Sequence, residues 1–387
     1  MDKSYQESVE AVLRQSPKQA MENFAERIAA QRPSESTRFV LCGAGPLGRL
    51  VNRRLIAMGR APLAFMDNRP ELSGTSVDGL TVYSPAEAVA RFGQDATFVA
   101  TVYTSSPLRE QLQGLNVTSL GFPELAWTYP DTFLPHGALE LPGSLLAQAD
   151  AIRKASGLWS DETSKQEFLG QLEWRTGLEP TSLPPHAPVD ETYFASDLFD
   201  LTDDEVFVDC GAFDGDSIRA FLQRRGDSFR AAVGLEPDPL TRTRFEKWRS
   251  SLPPEQAEKI RLLPYATGER REKLTFDSTG TAASSVGSGQ MEVECRPLDE
   301  AVAEFKPTFI KMDIEGAEPA ALRGAKQIIS GDQPILAICL YHAQEHLWQL
   351  PLLIHEFNPD YRLFLRRYSD ECWEIVCYAV PAARCKS

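Results

Sequence analysis

Four carboxylates and two short glycine turns hold the chemistry open to this chain. "VFVDCGAFDGDS", beginning at residue 206, sets Asp209 at the end of an apolar run and follows it with Gly211 and Gly215. The next apolar run, "AAVGLEP", ends in Glu236, and "FIKMDIEGAEPAALRGA" (309–325) delivers Asp313 and Glu315. Ligands of open α/β sheets sit beyond the carboxyl ends of the strands, so these acids would share one rim. Glycines there would let backbone approach a ligand with no Cβ in the way. An acid at the end of the second strand can accept hydrogen bonds from both hydroxyls of a ribose. A carboxylate placed before the glycines suits a cationic, amino-acid-bearing ligand better than a pyrophosphate. S-adenosylmethionine has that chemistry: an adenosine, an ammonium and no phosphate.

The other turn, "FVLCGAGPLG" (39–48), spells Gly43-x-Gly45-x-x-Gly48, the spacing that seats a pyrophosphate on a helix N-terminus. Asp67 ends the following strand, close to the roughly 20-residue offset of a ribose-binding acid. The turn thus offers a second nucleotide site at Gly43, Gly45, Gly48 and Asp67. An NAD-dependent sugar-modifying enzyme is the alternative reading it supports, and a nucleotide-sensing scaffold with an inactive second half is another. Against a redox role, the first 130 residues hold no Tyr-x-x-x-Lys pair, and His136 is the first histidine in the chain.

These residues need sheets to position them. Residues 5–31 have helical apolar spacing interrupted near Pro17, and βα alternation begins at "RFVLCGAG". Strands separated by short helical segments mean a parallel sheet. The pattern weakens in a helical and Pro-rich stretch, then restarts with "EVFVDCG", "AAVGLEP", "IRLLPYA", "PTFIKMD" and "PILAICLY". The last two strands, "YRLFLRRY" and "CWEIVCYAV", are joined too closely for a helix and must run antiparallel. The fold class is therefore α/β with two doubly wound domains. Residues 1–135 form a Rossmann-like domain with N-terminal helices, 136–200 a helical, Pro-rich linker, and 201–387 a class I methyltransferase sheet whose last strand is reversed.

The bulk numbers agree. The chain's 387 residues exceed what one hydrophobic core usually supports. A net charge of −15 opposes binding to phosphate backbones, so nucleic acid is not an expected partner. "LRRY" at 365–368 is the kind of stretch that could form a local basic patch, but it reads more readily as a solvated strand end. No run approaches the roughly 18 apolar residues of a membrane helix, and the N-terminus lacks an apolar signal core, so the expected location is cytoplasmic. Seven cysteines with no C-x-x-C pair read as buried thiols in a reducing compartment.

From about residue 190 to 382, "VFVDCGAFDGDS", "GLEPDP", "LDEAV", "FIKMDIEGAEPAALRGA" and a "YH" after a strand resemble the FkbM family of S-adenosylmethionine-dependent methyltransferases, in order and at fitting spacing. The resemblance implies methyl transfer to a hydroxyl, on a sugar, glycan or polyketide-type small molecule. It implies Asp209, Gly211, Ala212, Phe213, Gly215, Asp216 and Ser217 as cofactor-loop residues, with Glu236 and Pro237 at the ribose. Asp313 and Glu315 would lie on the active-site rim. The adenine contact falls near Tyr265 and Ala266, where "YATGERREK" departs from the commoner pattern.

A sulfonium already activates the methyl group, so the enzyme must align an in-line displacement and take the hydroxyl's proton. Holding oxygen and methyl at about 3–3.5 Å supplies much of the acceleration, and a general base adds roughly 10²–10⁴. His342 is the candidate base, since histidine titrates near about 6.5, with Asp313 orienting it or binding the hydroxyl. "HAQEH" (342–346) matches an inverted zinc-peptidase pattern, but His342 ends a strand, where that motif needs a helix. Asp313, Glu315 and His342 could instead hold a divalent cation, a cofactor that is not expected. Self-association into a homo-oligomer is open.

Overall fold

The computed structural model describes residues 3–277, 285–286 and 291–386. Helices Lys3–Leu13 and Pro17–Arg27 lead into the first strands. These are β1 (Arg38–Cys42), β2 (Ala64–Met66), β3 (Ser76–Val77), β4 (Leu80–Tyr83), β5 (Ala96–Ala100) and β6 (Ser119–Gly121), in the order β3-β4-β2-β1-β5-β6. All neighbours pair parallel except β3, which runs antiparallel to β4. The chain leaves β1 in opposite directions to β2 and β5, the switch point of a doubly wound sheet. Every residue of β5 is buried, the signature of a parallel strand covered on both faces. The helix Pro46–Ala57 starts from Gly45 with proline at its first position, where the missing N–H would have had no helical partner.

The later strands are β7 (Val206–Cys210), β8 (Ala231–Leu235), β9 (Ile260–Leu263), β10 (Tyr265–Thr267), β11 (Glu272–Asp277), β12 (Ser285–Val286), β13 (Met291–Arg296), β14 (Phe309–Met312), β15 (Ile335–Cys339), β16 (Tyr361–Arg367) and β17 (Ile375–Pro381). Seven of them form a sheet in the order β16-β17-β15-β14-β7-β8-β9. β17 is antiparallel to both β15 and β16, as the short connection required. The central strands β7, β14 and β15 are buried at every residue. "IRLLPYA" is two strands where the sequence reads as one. Pro264, with no N–H to give, breaks the ladder after β9. β10 then turns away to a small sheet of order β10-β13-β11-β12.

Residues 136–200 do more than link. The helix Glu162–Gly177 buries Phe168, Gln171, Leu172, Trp174 and Arg175, packing against β16 and against both N-terminal helices. Ser160 Oγ and Ser164 Oγ accept the N–H groups of Leu363 and Leu365 at 3.1 and 2.8 Å, which covers the open edge of β16. "LRRY" is correspondingly not solvated. Arg366 and Arg367 are buried; Arg366 Nη2 reaches Asp161 and Asp197 at 2.6 Å, and Arg367 Nε reaches Glu167 at 2.8 Å. Buried guanidinium groups persist only where carboxylates meet them, and this segment supplies those carboxylates. All seven cysteines are free thiols, six of them buried. Among the described residues, no helix is long and apolar enough to cross a membrane.

Candidate active site

A pocket of roughly 860 Å³ opens at the carboxyl ends of β7, β8 and β14. Of the residues expected to hold a cofactor, Gly211, Phe213, Asp216, Ser217, Glu236, Pro237, Tyr265, Ala266 and Asp313 line it, and so does Glu315. Asp209, Ala212, Gly215 and His342 do not. The lining also includes Tyr193, Thr241, Phe276 and Lys311, which motif reading passes over.

Glu236 is buried at the end of β8. Its Oε2 accepts the Phe213 N–H at 2.9 Å and its Oε1 the Asp238 N–H at 2.7 Å. One carboxylate thus fixes the glycine loop and the following turn, leaving further lone pairs toward the pocket. Burial raises its pKa against the pull of those N–H groups. The glycines also serve the loop's own packing. Gly211 has φ +80°, and a Cβ there would stand 2.1 Å from the Asp313 carbonyl oxygen. Gly215 has φ +92°, and its Cβ would meet the Trp248 ring at 2.7 Å. Their bareness lets protein pack on protein, which brings the Asp209 turn against the Asp313 turn.

Asp209 and Lys311 lie in register on adjacent strands, with Lys311 Nζ 2.9 Å from Asp209 Oδ1. Lys311 also donates to the Gly211 carbonyl at 3.1 Å and lies 5.2 Å from the Tyr193 ring centre. Burial pushes Asp209 up to about 7 while Lys311 pulls it down. Burial opposes the ammonium too, but Asp209, Asp313 and Asp216 outweigh it and keep Lys311 charged. Asp209 therefore neutralises the lysine behind the loop and is not part of the pocket wall.

Asp313 is the hub. The hydroxyl of Tyr193 donates to Oδ2 and that of Tyr341 to Oδ1, both at 2.8 Å. Burial would raise its pKa, but His342, Lys311 and Tyr193 together hold it well below the usual carboxylate range. Tyr193 comes from the segment ahead of β7, with φ +67°. Glu315, at φ +53° before Gly316 at +98°, occupies a backbone region that non-glycine residues rarely take. Its side chain is 40 % exposed, and burial together with Asp313 and Glu318 pushes it up to about 7 against the pull of His342. Burial also brings Glu374, within electrostatic reach of Asp313 and His342, up to about 7.

His342 lies behind these acids. Its Nδ1 is 2.8 Å from Glu318 Oε1, and its Nε2 is 3.3 Å from Asp313 Oδ1 and 3.9 Å from Glu315 Oε2. Burial would lower its pKa, but Glu318 and Asp313 raise it well above the ordinary value. That preference for the charged form runs against the neutral imidazole expected of a base at His342. The histidines of "HAQEH" both turn to Glu318, with His346 Nδ1 at 3.5 Å from Oε2. Among the described residues, no group of three or more His, Cys, Asp or Glu side chains is arranged to hold a metal ion.

At the first glycine turn, Gly43, Gly45 and Asp67 line a second cavity of about 950 Å³. Gly48 does not line it; a Cβ there would fall 1.9 Å from the Gly43 carbonyl oxygen, so this glycine seats helix on strand. Asp67 accepts the Ala44 N–H at 2.9 Å and a forked pair from Arg69 at 2.8 and 2.9 Å. Arg69 foremost, against burial, lowers its pKa to about 2. The acid expected for a ribose is already tied to a neighbour.

Residues 209–372 match the model of the methyltransferase FkbM domain. No curated protein sequence matches the chain. Among solved structures, a methyltransferase FkbM from Methylobacillus flagellatus KT superposes with a TM-score of 0.73 at 23 % identity, covering 97 % of this chain and 98 % of its own. Matches of lower score include a UDP-D-quinovosamine 4-dehydrogenase from Vibrio fischeri (22 % identity, 25 % of this chain, 87 % of its own, TM-score 0.20). An rRNA methylase from Streptococcus thermophilus is another (13 % identity, 50 % and 92 %, TM-score 0.30). The likeness to the Methylobacillus flagellatus structure extends through the N-terminal sheet, so the whole chain shares that fold. From the pocket loop at Asp209 to the β16–β17 turn, the chain matches the methyltransferase FkbM domain.

Proposed function

We propose that the protein transfers a methyl group from S-adenosylmethionine to a hydroxyl of a sugar, glycan or polyketide-type small molecule. The observation that carries this reading is the charge of the pocket. Asp216, Glu236, Asp313 and Glu315 line it, and the lysine among its described lining residues, Lys311, is paired with Asp209. Such a wall suits a ligand bearing a sulfonium and an ammonium and repels phosphate. The donor set fits that cofactor: Glu236 would accept the ribose hydroxyls, Tyr265 and Ala266 would flank the base, and the carboxylates would meet the cationic end. When bound, S-adenosylmethionine supplies a methyl group already activated for displacement.

The rest is the work of this chain's residues. Glu315, with a pKa near neutrality, is matched to accept the acceptor hydroxyl's proton on a carboxylate oxygen. Asp313, ionised and gripped by two tyrosines, would orient the hydroxyl. His342, its charged form favoured by Glu318 and Asp313, would stabilise the paired acids from behind. The net charge of −15 favours a small acceptor over nucleic acid, and seven free cysteines suit a reducing, cytoplasmic setting.

Calorimetry with S-adenosylhomocysteine, NAD and nucleotide-sugars tests the reading. Micromolar binding of S-adenosylhomocysteine that weakens in Glu236→Ala is expected; its absence would overturn the proposal. Turnover is expected to survive EDTA. A nucleotide at the first glycine turn is a second reading, favoured by the cavity at Gly43 and Gly45. NAD binding abolished by Gly45→Trp would support it.

A further inference from the structure

Few large apolar side chains are left open among the described residues, and Tyr103, 42 % exposed, is one of them. Unlike a loose surface aromatic, it is held on several sides. Its hydroxyl is 3.0 Å from His136 Nε2, the two rings stack at 6.0 Å with a 12° tilt, and its edge meets Trp373 at 4.9 Å. A ring already fixed in place loses little conformational entropy when something covers its free face.

Tyr103 follows β5 in the N-terminal sheet, yet its surroundings belong to the methyltransferase rim. The neighbouring residues pin the 368–374 connection between β16 and β17. Thr104 Oγ1 is 3.3 Å from Ser369 Oγ, Ser105 Oγ donates to Glu371 at 3.0 Å, and the Ser106 N–H donates to Asp370 at 2.7 Å. On its other side, His136 continues into Gly137 and Ala138, whose N–H donates to the Tyr341 carbonyl at 2.8 Å. A Cβ on Gly137 would press within 2.9 Å of that carbonyl and 3.3 Å of Trp373. Tyr341 in turn donates to Asp313. Burial foremost, with Glu315 adding to it, raises the Tyr103 hydroxyl to about 12. Burial lowers His136 to about 4, so the pair carries no charge at neutral pH.

We propose that Tyr103, supplied by the N-terminal sheet, is a specificity-determining residue of the acceptor site, its exposed face stacking on a neutral hydroxylated ring such as a hexopyranoside. The proposal rests on the methyl-transfer reading above. The C–H face of such a ring would lie on the tyrosine, while its hydroxyls would meet Glu315 and Glu374. An anionic acceptor would be repelled by the same carboxylates.

The test uses the full chain saturated with S-adenosylhomocysteine and titrated with a panel of methyl hexopyranosides, followed by calorimetry and tryptophan fluorescence, to which Trp373 contributes. At least one glycoside is expected to bind. Tyr103→Phe should retain its affinity, while Tyr103→Ala and Tyr103→Leu should weaken it by about tenfold or more, the loss of one aromatic stack with its buried area. Affinity for S-adenosylhomocysteine should be the same in all four proteins, which also certifies their folding. No binding by any glycoside, or equal binding by the alanine and leucine variants, overturns the assignment of Tyr103. Failure of the unmodified protein to bind S-adenosylhomocysteine overturns the methyl-transfer reading, and the acceptor proposal with it.

Discussion

Lys311 Nζ lies 2.9 Å from Asp209 Oδ1, on strands that hold the two residues in register, with both side chains buried. Lys311→Met removes the cation that faces a buried acid and should cost about 3–5 kcal/mol at alkaline pH. The acid can escape by taking a proton. Because burial already raises Asp209 to about 7 in the folded chain, above about 3.9 for the unfolded one, its stability contribution falls as pH rises through that interval. The destabilisation by Lys311→Met should thus shrink from pH 8 to pH 5.5 in urea unfolding. An equal loss at both pH values would show that the pair is not what the lysine serves.

Glu236 holds two backbone N–H groups and faces the pocket. Glu236→Gln keeps the shape but removes the charge and one acceptor. Affinity for S-adenosylhomocysteine should drop roughly 10- to 100-fold, in line with hydrogen bonds to a charged group, as read by calorimetry. A change under twofold would remove Glu236 from the ribose site.

Glu315 sets a pH profile. With its carboxyl pushed up to about 7, the base form grows as pH rises, so kcat/KM should climb through neutrality and level off above it. Glu315→Gln should flatten that limb and lower kcat by roughly 10²–10⁴. A rising limb that persists unchanged in the variant would assign the proton transfer elsewhere.

His342 should titrate above the ordinary histidine range because Glu318 and Asp313 favour its charged form. Histidine NMR is expected to show it protonated at pH 7.5, and Glu318→Gln should move its midpoint downward. An ordinary midpoint in the unmodified protein would restore it as a base.

The sheet and much of the rim were legible in the sequence. Apolar runs ending in Asp209, Glu236 and Asp313 had to be buried strands, and the short β16–β17 connection could only be antiparallel. The partners of those acids were less accessible, for physical reasons. Lys311 was visible as a charge inside the apolar "FIKM", a placement that demands a counter-ion, but only strand register names Asp209 as that counter-ion. Tyr193 carries no motif and lies in the irregular segment between a proline-rich stretch and β7. The buried state of Arg366 and Arg367 depends on carboxylates some two hundred residues earlier in the chain. His342 had the right residue type, but its charge is decided by Glu318, which the fold brings beside it.

The cover over β16 has a consequence for how the chain can be divided. Excising residues 201–387 as a stand-alone catalyst would strip Asp161, Glu167 and Asp197 from two interior arginines and uncap the N–H groups of Leu363 and Leu365. The excised piece would present a sticky strand bearing unpaired cations, prone to self-association. The catalytic half is therefore not portable: a fusion or truncation that preserves solubility must carry residues 160–200 along with it.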